Sequence, residues 1–127
     1  MGKIICIAAL LLLASCKDCS QLKEGFFKIE TSPGNTFTID RTLTKQTENN
    51  LKSGVISECK IKWTSDCSYI LYDRKLLKGF EPSQITDKLR GDTLYNEIIS
   101  ISGNTHKVSC VMKSTGIKAK FTVSKVK

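Results

Sequence analysis

The sequence is poor in three residue types, with one His, one Trp and two Pro among 127 residues. The single histidine, His106, cannot form a site of several histidines, and no motif gathers a nucleophile and an acid around it. We therefore place His106 on a strand face and predict no catalytic residue. Acidic residues are fewer than basic ones, 12 against 20, which leaves a net charge of +8.

The length and composition restrict the class of protein. A chain of 127 residues allows one domain and excludes a large multidomain enzyme. Hydrophobic residues make up 40% of the chain, which excludes a disordered protein. Six cysteines are many for a reducing cytosol and therefore indicate an exported protein.

The longest apolar run lies at the N-terminus, where residues 4–14 form eleven apolar positions after Lys3. This run is shorter than the roughly 20 residues that span a bilayer, and it fits the apolar region of a secretory signal. The residues Leu13-Ala14-Ser15-Cys16 that follow resemble the lipobox of bacterial lipoproteins. We predict a lipoprotein signal peptide over 1–15 and a lipid anchor on the thiol of Cys16. An ordinary signal peptide, with Cys16 free or in a disulfide, is the alternative.

Cleavage would leave 112 residues (127 − 15) and a net charge of +7, because Lys3 departs. We assign residues 16–24 to the lipidated N-terminus and tether, and residues 25–127 to a single all-β domain. Two or more acyl chains hold a protein firmly at a membrane without crossing it. The predicted location is the bacterial cell envelope, as a membrane-anchored lipoprotein of the outer membrane, with the leaflet left open.

Period-two alternation of apolar and polar residues recurs after residue 24. Within 55–63, for example, Cys59, Ile61 and Trp63 share one face and lysines occupy the other. The pattern predicts about eight antiparallel strands in a meander that forms a small barrel or a sandwich. Residues 74–91 are predicted to form a long loop with at most one helical turn. The predicted strands lie near 25–30, 35–42, 44–49, 55–63, 67–73, 93–101, 105–113 and 117–125.

Several short motifs occur in order along the chain: Cys19-x-x-Leu22-Lys23-x-Gly25-x-Phe27, Ile39-x-Arg41, Gln46-x-Glu48 and Trp63-x-x-Asp66-Cys67-x-Tyr69-x-Leu71. Together they resemble a family of small lipoproteins of Bacteroidetes, chiefly flavobacteria. The resemblance implies export and a lipid anchor but carries no established activity. Some members bear a label that mentions DNA topoisomerase IV, which an exported chain of this size does not support.

Removal of the signal and lipidation of Cys16 leave an even number of cysteines, which in an exported domain predicts two disulfides. Three connectivities are possible. No two of the four remaining cysteines form a CxxC pair, because lipidation of Cys16 would remove the pair that it makes with Cys19, so we predict no metal and no cofactor. The remaining cysteines are Cys19, Cys59, Cys67 and Cys110.

A hairpin that turns at residues 64–66 would make Cys59 and Cys67 poor partners. We prefer a bridge between Cys19 and Cys67. The pattern of the lipoprotein family that the chain resembles includes cysteines equivalent to both. The second preferred bridge joins Cys59 to Cys110, between inward-facing strand positions.

Four residues are candidates for ligand binding. Arg41 and Glu48 are expected, together with Gln46, to face each other across a hairpin, either as simple cross-strand pairing or as polar contacts to a ligand inside a barrel. The simplest interpretation of Trp63 and Tyr69 is that they are core residues. They would line a small apolar cavity if the barrel is wide enough.

The basic excess does not indicate a nucleic-acid partner, because basic residues are not interleaved with exposed aromatics. Anionic lipid headgroups are better candidates for a partner of the basic residues than nucleic acid. The simplest interpretation is that these residues occupy solvent-exposed strand faces and bind no partner. We predict a non-enzymatic, lipid-anchored binding or structural module whose protein or small-ligand partner is unknown. The alternative is a lipocalin-like carrier of a small apolar ligand, which a cavity larger than about 300 Å³ would favour.

Overall fold

Eight antiparallel strands form a closed barrel in the computed structural model, which describes residues 18–126. Each strand pairs with the next one along the chain, and the last strand pairs with the first. The prediction of an all-β meander is confirmed, in its barrel form. The strands are β1 (Gly25–Ser32), β2 (Asn35–Arg41), β3 (Lys45–Asn50), β4 (Ile56–Trp63), β5 (Ser68–Lys78), β6 (Thr93–Ser102), β7 (Thr105–Met112) and β8 (Lys118–Lys125).

The alternation of the sequence determines which side chains enter the barrel. On β4, Cys59 and Ile61 are buried, whereas Lys60 and Lys62 are exposed. Tight turns join several strands, and Gly103 has a φ of +60° in the turn between β6 and β7. Glycine adopts this backbone conformation without the steric cost that a side chain brings. Closure gives each described strand a hydrogen-bonded neighbour on both sides.

The barrel has two different ends. We call the end where β1 finishes the mouth; it carries the turns at 33–34, 51–55 and 113–117 and the segment 79–92. We call the opposite end the floor. The N-terminal residues cover the floor, where a 3₁₀ turn over Ser20–Leu22 buries Leu22 and the neighbouring Cys19. The described part of the predicted tether, residues 18–24, therefore packs onto the barrel.

A disulfide between Cys19 and Cys67 fixes this N-terminal turn to the loop that joins β4 and β5. The preferred first bridge is thus confirmed. The second preferred bridge is wrong, because Cys59 and Cys110 are free buried thiols. Cys59 lies on β4 and Cys110 on β7, with two strands between them. Adjacent strands are about 4.8 Å apart, so the two backbones lie beyond the 4.4–6.8 Å that a disulfide spans between Cα atoms.

The predicted loop over 74–91 is partly wrong, since β5 continues to Lys78. Asp73 interrupts the alternation at a β-bulge, where its φ is +56° and the register with β4 shifts. The extra residue changes the side-chain parity and so hides the second half of the strand from a period-two pattern. An α-helix, α1 (Ser83–Arg90), follows Pro82 and lies against β5 near the mouth.

The predicted signal peptide over 1–15 and the lipidated Cys16 lie outside the described residues. Neither helix within residues 18–126 is long and apolar enough to cross a membrane.

Candidate functional site

The barrel encloses a cavity of about 260 Å³ that extends from the interior to the mouth. Every strand except β4 contributes to its wall, which is mostly apolar, with Phe37, Leu71 and Phe121 among the lining side chains. Ile117, which is 62% exposed, marks the point where the cavity reaches the mouth. The volume falls just below the 300 Å³ or so at which pockets begin to hold drug-sized molecules.

A chain of hydrogen bonds joins polar side chains on the cavity wall. The Nε of Arg41 donates to Oε1 of Gln46 over 2.9 Å, and Nε2 of Gln46 donates to Oε2 of Glu48, also over 2.9 Å. Nη1 of Arg41 donates to the carbonyl of Leu22 over 2.8 Å, and Nη2 donates to the Tyr69 hydroxyl over 3.3 Å. We call Arg41, Gln46, Glu48 and Tyr69 the polar cluster. The cluster places a cation and a carboxylate inside the same cavity.

The guanidinium of Arg41 is buried without a direct counter-ion. Only 2% of the residue is exposed, and none of the residues 18–126 offers it a carboxylate within 4.0 Å. Aromatic rings flank it instead, with centroids 4.6 Å (Phe27) and 4.9 Å (Tyr69) from its central carbon. Cation–π contacts and neutral hydrogen-bond acceptors therefore replace the ion pair that a buried cation normally makes.

Strand register explains why these side chains meet. Arg41 on β2 lies directly opposite Gln46 on β3, and Glu48 points to the same face two residues further along β3. The turn between the strands is held by the amide of Thr42, which donates to the carbonyl of Lys45 over 2.9 Å. The expected cross-strand pairing is thus present, and the same network lines the cavity.

The four predicted ligand-binding residues divide in the structure. Arg41, Glu48 and Tyr69 line the cavity, but Trp63 does not. Trp63 packs against Tyr69 with ring centroids 4.6 Å apart, and the ammonium of Lys23 lies 5.1 Å from its ring. Trp63 therefore supports the wall from outside the cavity.

Gln46, which the sequence places beside Arg41 and Glu48, lines the cavity with them, whereas sequence reasoning missed Asn96 as a cavity residue. Asn96 lies between the inward-facing Leu94 and Ile98 on β6, and its Nδ2 donates to the carbonyl of Leu94 over 3.1 Å. Its Oδ1 accepts no hydrogen bond from the described residues. A polar residue at an inward position of an otherwise apolar strand face was the available signal.

Two buried thiols behave differently with respect to the cavity. Cys110 lines the cavity, whereas Cys59 packs in the core beside it. Burial raises the pKa of Cys110, and burial together with the charge of Glu48 raises the pKa of Cys59 to about 12. Both groups are therefore neutral thiols at pH 7 and poor nucleophiles.

His106 is buried at the floor end of the barrel and does not line the cavity. Its ring meets the edge of Phe27 at a centroid distance of 5.8 Å, and neither ring nitrogen has a hydrogen-bond partner among the described residues. Burial, with the nearby cations of Arg41 and Lys125, lowers its pKa from 6.5 to about 4. The imidazole is consequently neutral at pH 7.

The mouth carries an ion pair that holds α1 in place. Both Nη atoms of Arg74 donate to the carboxylate of Glu81 over 2.9 Å, and the hydroxyl of Thr86 on α1 donates to the same carboxylate. The Arg74 guanidinium lowers the pKa of Glu81, so the pair stays charged at pH 7. These contacts connect α1 to the half of β5 that is nearer the mouth.

Metal-ligand atoms come together among the described residues at Cys19, Asp66 and Cys67, within 4.8 Å of one another. The two sulfurs are bonded to each other, so they do not offer thiolates to a metal. Inside the cavity, the cation of Arg41 opposes the approach of a metal ion to Glu48. The polar cluster therefore suits an organic ligand better than a metal.

Comparison of the chain with protein-family models, with curated proteins and with solved structures finds no match. The cavity and its polar cluster are therefore the features that bear on function.

Proposed function

We propose that this protein is a lipid-anchored cell-envelope barrel that binds a small ligand inside its cavity without transforming it. The observation that carries the proposal is the mostly apolar cavity of about 260 Å³ with the buried cation of Arg41 in its wall. Eight-stranded up-and-down barrels are wide enough to hold one small ligand, as lipocalins do. The strand number and order of this barrel are the same.

The volume of the cavity limits the size of the ligand. An engineered apolar cavity of about 150 Å³ binds benzene, and pockets for drug-sized molecules begin near 300 Å³. At about 260 Å³, this cavity suits an aromatic ring or branched aliphatic group with a short polar extension. A long fatty acyl chain would exceed it.

The position of the predicted anchor supports ligand access from solution. Asp18 lines a surface cleft at the floor end with Leu22 and Asn104. Cys16 is two residues away, at most about 7 Å along an extended chain. A lipid on Cys16 would hold the floor towards the bilayer, so the mouth would face away from it and stay open.

Filling the cavity is expected to abolish ligand binding. Ala119 lines the cavity on β8, and an Ala119→Phe change would occupy much of the free volume. Titration calorimetry with indole as an apolar probe should show binding to the unchanged protein and at least about tenfold weaker binding to the variant.

Thr122→Phe is the matched control, because Thr122 is exposed on the same strand. The control should bind indole as the unchanged protein does. Equal affinity of both variants would place indole outside the cavity and would contradict the proposed function.

Lipidation is tested by a Cys16→Ser change in the precursor. The unchanged precursor, produced in a bacterial host, should incorporate labelled palmitate and fractionate with membranes. The variant should lose the label and accumulate uncleaved, because the thiol is the acyl acceptor. The lipid anchor is excluded if processing and membrane fractionation are the same for both chains.

A further inference from the structure

The polar cluster presents both signs of charge to whatever occupies the cavity. We propose that the ligand is a small zwitterion with an apolar side chain, of the α-amino-acid type. Its carboxylate accepts hydrogen bonds from Arg41 and Tyr69, and its ammonium donates to Glu48. This inference rests on the proposed function, because it names the ligand class of the same cavity.

Arg41 has unused capacity to bind an anion. A guanidinium has five N–H donors, and Arg41 uses three of them on the neutral oxygens of Gln46, Leu22 and Tyr69. The Tyr69 hydroxyl accepts from Arg41, so its own proton is free to be donated. A ligand carboxylate would supply the buried cation with the counter-ion that the residues 18–126 do not provide, and desolvated charge-assisted bonds of this kind are strong.

Glu48 has unused capacity to bind a cation. Its Oε2 accepts the hydrogen bond from Gln46, while its Oε1 has no hydrogen-bond partner within the described part of the chain. Asn96, across the cavity, likewise retains an accepting Oδ1. An ammonium group is the ligand group that satisfies such acceptors while balancing the carboxylate.

The distance between the two charges fits an amino-acid head group. The amide of Gln46 bridges Arg41 and Glu48 with a 2.9 Å bond on each side. The oxygen and nitrogen of an amide are separated by two bonds, and those of an α-amino acid by three. A zwitterionic head can therefore span the same gap beside Gln46.

A ligand with a single charge is disfavoured by the same geometry. An anion that reaches Arg41 lies near Glu48, and a cation that reaches Glu48 lies near Arg41. Repulsion between like charges is strong in a cavity of low dielectric constant. A neutral ligand leaves both charges without a new partner. Only a zwitterion satisfies both ends, and its apolar side chain then extends along Ile39, Leu71 and Phe121 towards the mouth.

A matched series of ligands tests the proposal, since its members share a phenyl ring and a short chain. The series comprises L-phenylalanine, 3-phenylpropanoate, 2-phenylethylamine and 3-phenyl-1-propanol. Titration calorimetry at pH 7 with the unchanged protein should give L-phenylalanine an affinity at least about tenfold higher than that of any other member.

Charge neutralisation at Glu48 provides the second test. Glu48→Gln should remove the advantage of L-phenylalanine and make 3-phenylpropanoate the better ligand, because the repulsion of the anion is gone. Glu97→Gln is the control, since Glu97 is an exposed carboxylate on β6, and it should leave the order unchanged. The ligand series on the unchanged protein decides the question even if Glu48→Gln does not fold.

The outcomes separate this inference from the proposed function. Tightest binding of 3-phenylpropanoate to the unchanged protein would show that Arg41 acts alone, and tightest binding of the alcohol would show that neither charge is used; either result overturns the zwitterion. Indole binding without L-phenylalanine binding overturns the inference and leaves the carrier intact. If neither indole nor any member of the series binds, the proposed function itself fails.

Discussion

Replacing Cys19 and Cys67 together by Ala is expected to lower the free energy of unfolding by about 4 kcal/mol. The bridge closes a loop with a sequence separation of 48 residues, and cross-linking a loop of that length removes a large conformational entropy from the unfolded chain. Ala avoids placing a hydroxyl at position 19, which is fully buried. Urea unfolding, followed by the fluorescence of Trp63, measures the change.

Two controls isolate the contribution of the disulfide. A reductant should destabilise the unchanged protein by a similar amount but should not affect the double variant, which has no bridge to break. Cys110→Ala removes a thiol that is free in the structure, so its response to reductant should match that of the unchanged protein. A loss of under about 1 kcal/mol in the double variant would mean that the bridge hardly constrains the unfolded chain.

The disulfide also has a direct connection to the candidate site. It holds the 3₁₀ turn whose last residue, Leu22, accepts a hydrogen bond from Nη1 of Arg41. The backbone that the bridge fixes is therefore part of the surroundings of the buried guanidinium. Loosening the turn would free an Arg41 donor and admit water to the floor, so ligand affinity is expected to fall along with stability.

The sequence predicted the local features of this barrel well, because they depend on side-chain periodicity. The inward position of Cys59 and Ile61 on β4 follows from strict alternation with lysines. Closure into a barrel and the place of each strand around it depend on long-range pairing, which periodicity does not record. For that reason the alternation predicts the correct face for Cys59 and Cys110, but the disulfide predicted between them is wrong.

The bulge at Asp73 shows a second limit of sequence reasoning. Asp73, with a φ of +56°, adds one residue to the strand. The inward-facing side chains after the bulge are therefore one position out of step with the alternation before it. The candidate site could be predicted only in part, because the sequence pattern records local pairing but not contacts between distant strands. Arg41 and Glu48 lie on one short hairpin, whereas Asn96 lies on β6 and shares their cavity only because the sheet closes into a barrel.

Lowering the pH from 7 to 4 is expected to destabilise the protein by about 3 kcal/mol through His106 alone. The unfolded chain binds a proton on this histidine near pH 6.5, but the folded chain binds it only near pH 4. The unfolded state therefore takes up more protons across this window, and stability falls as the pH falls through it. The charged groups that act on the ring, Arg41 and Lys125, are both cations and oppose its protonation.

A His106→Leu variant separates this contribution from that of the carboxylates. The carboxyl groups of Asp73, Glu81 and Asp92 also have lowered pKa values in the folded chain, so their protonation in acid destabilises the protein as well. This contribution is the same in both proteins and cancels when their free energies of unfolding are subtracted. Urea unfolding of the two proteins at intervals between pH 7 and pH 4 should show the unchanged protein losing about 3 kcal/mol more than the variant. Parallel pH profiles would contradict the prediction, because a His106 that protonates equally well in the folded and unfolded chains contributes no slope. Since the ring nitrogens have no hydrogen-bond partner among the described residues, neutral Leu removes no bond at pH 7, and the comparison measures the charge alone.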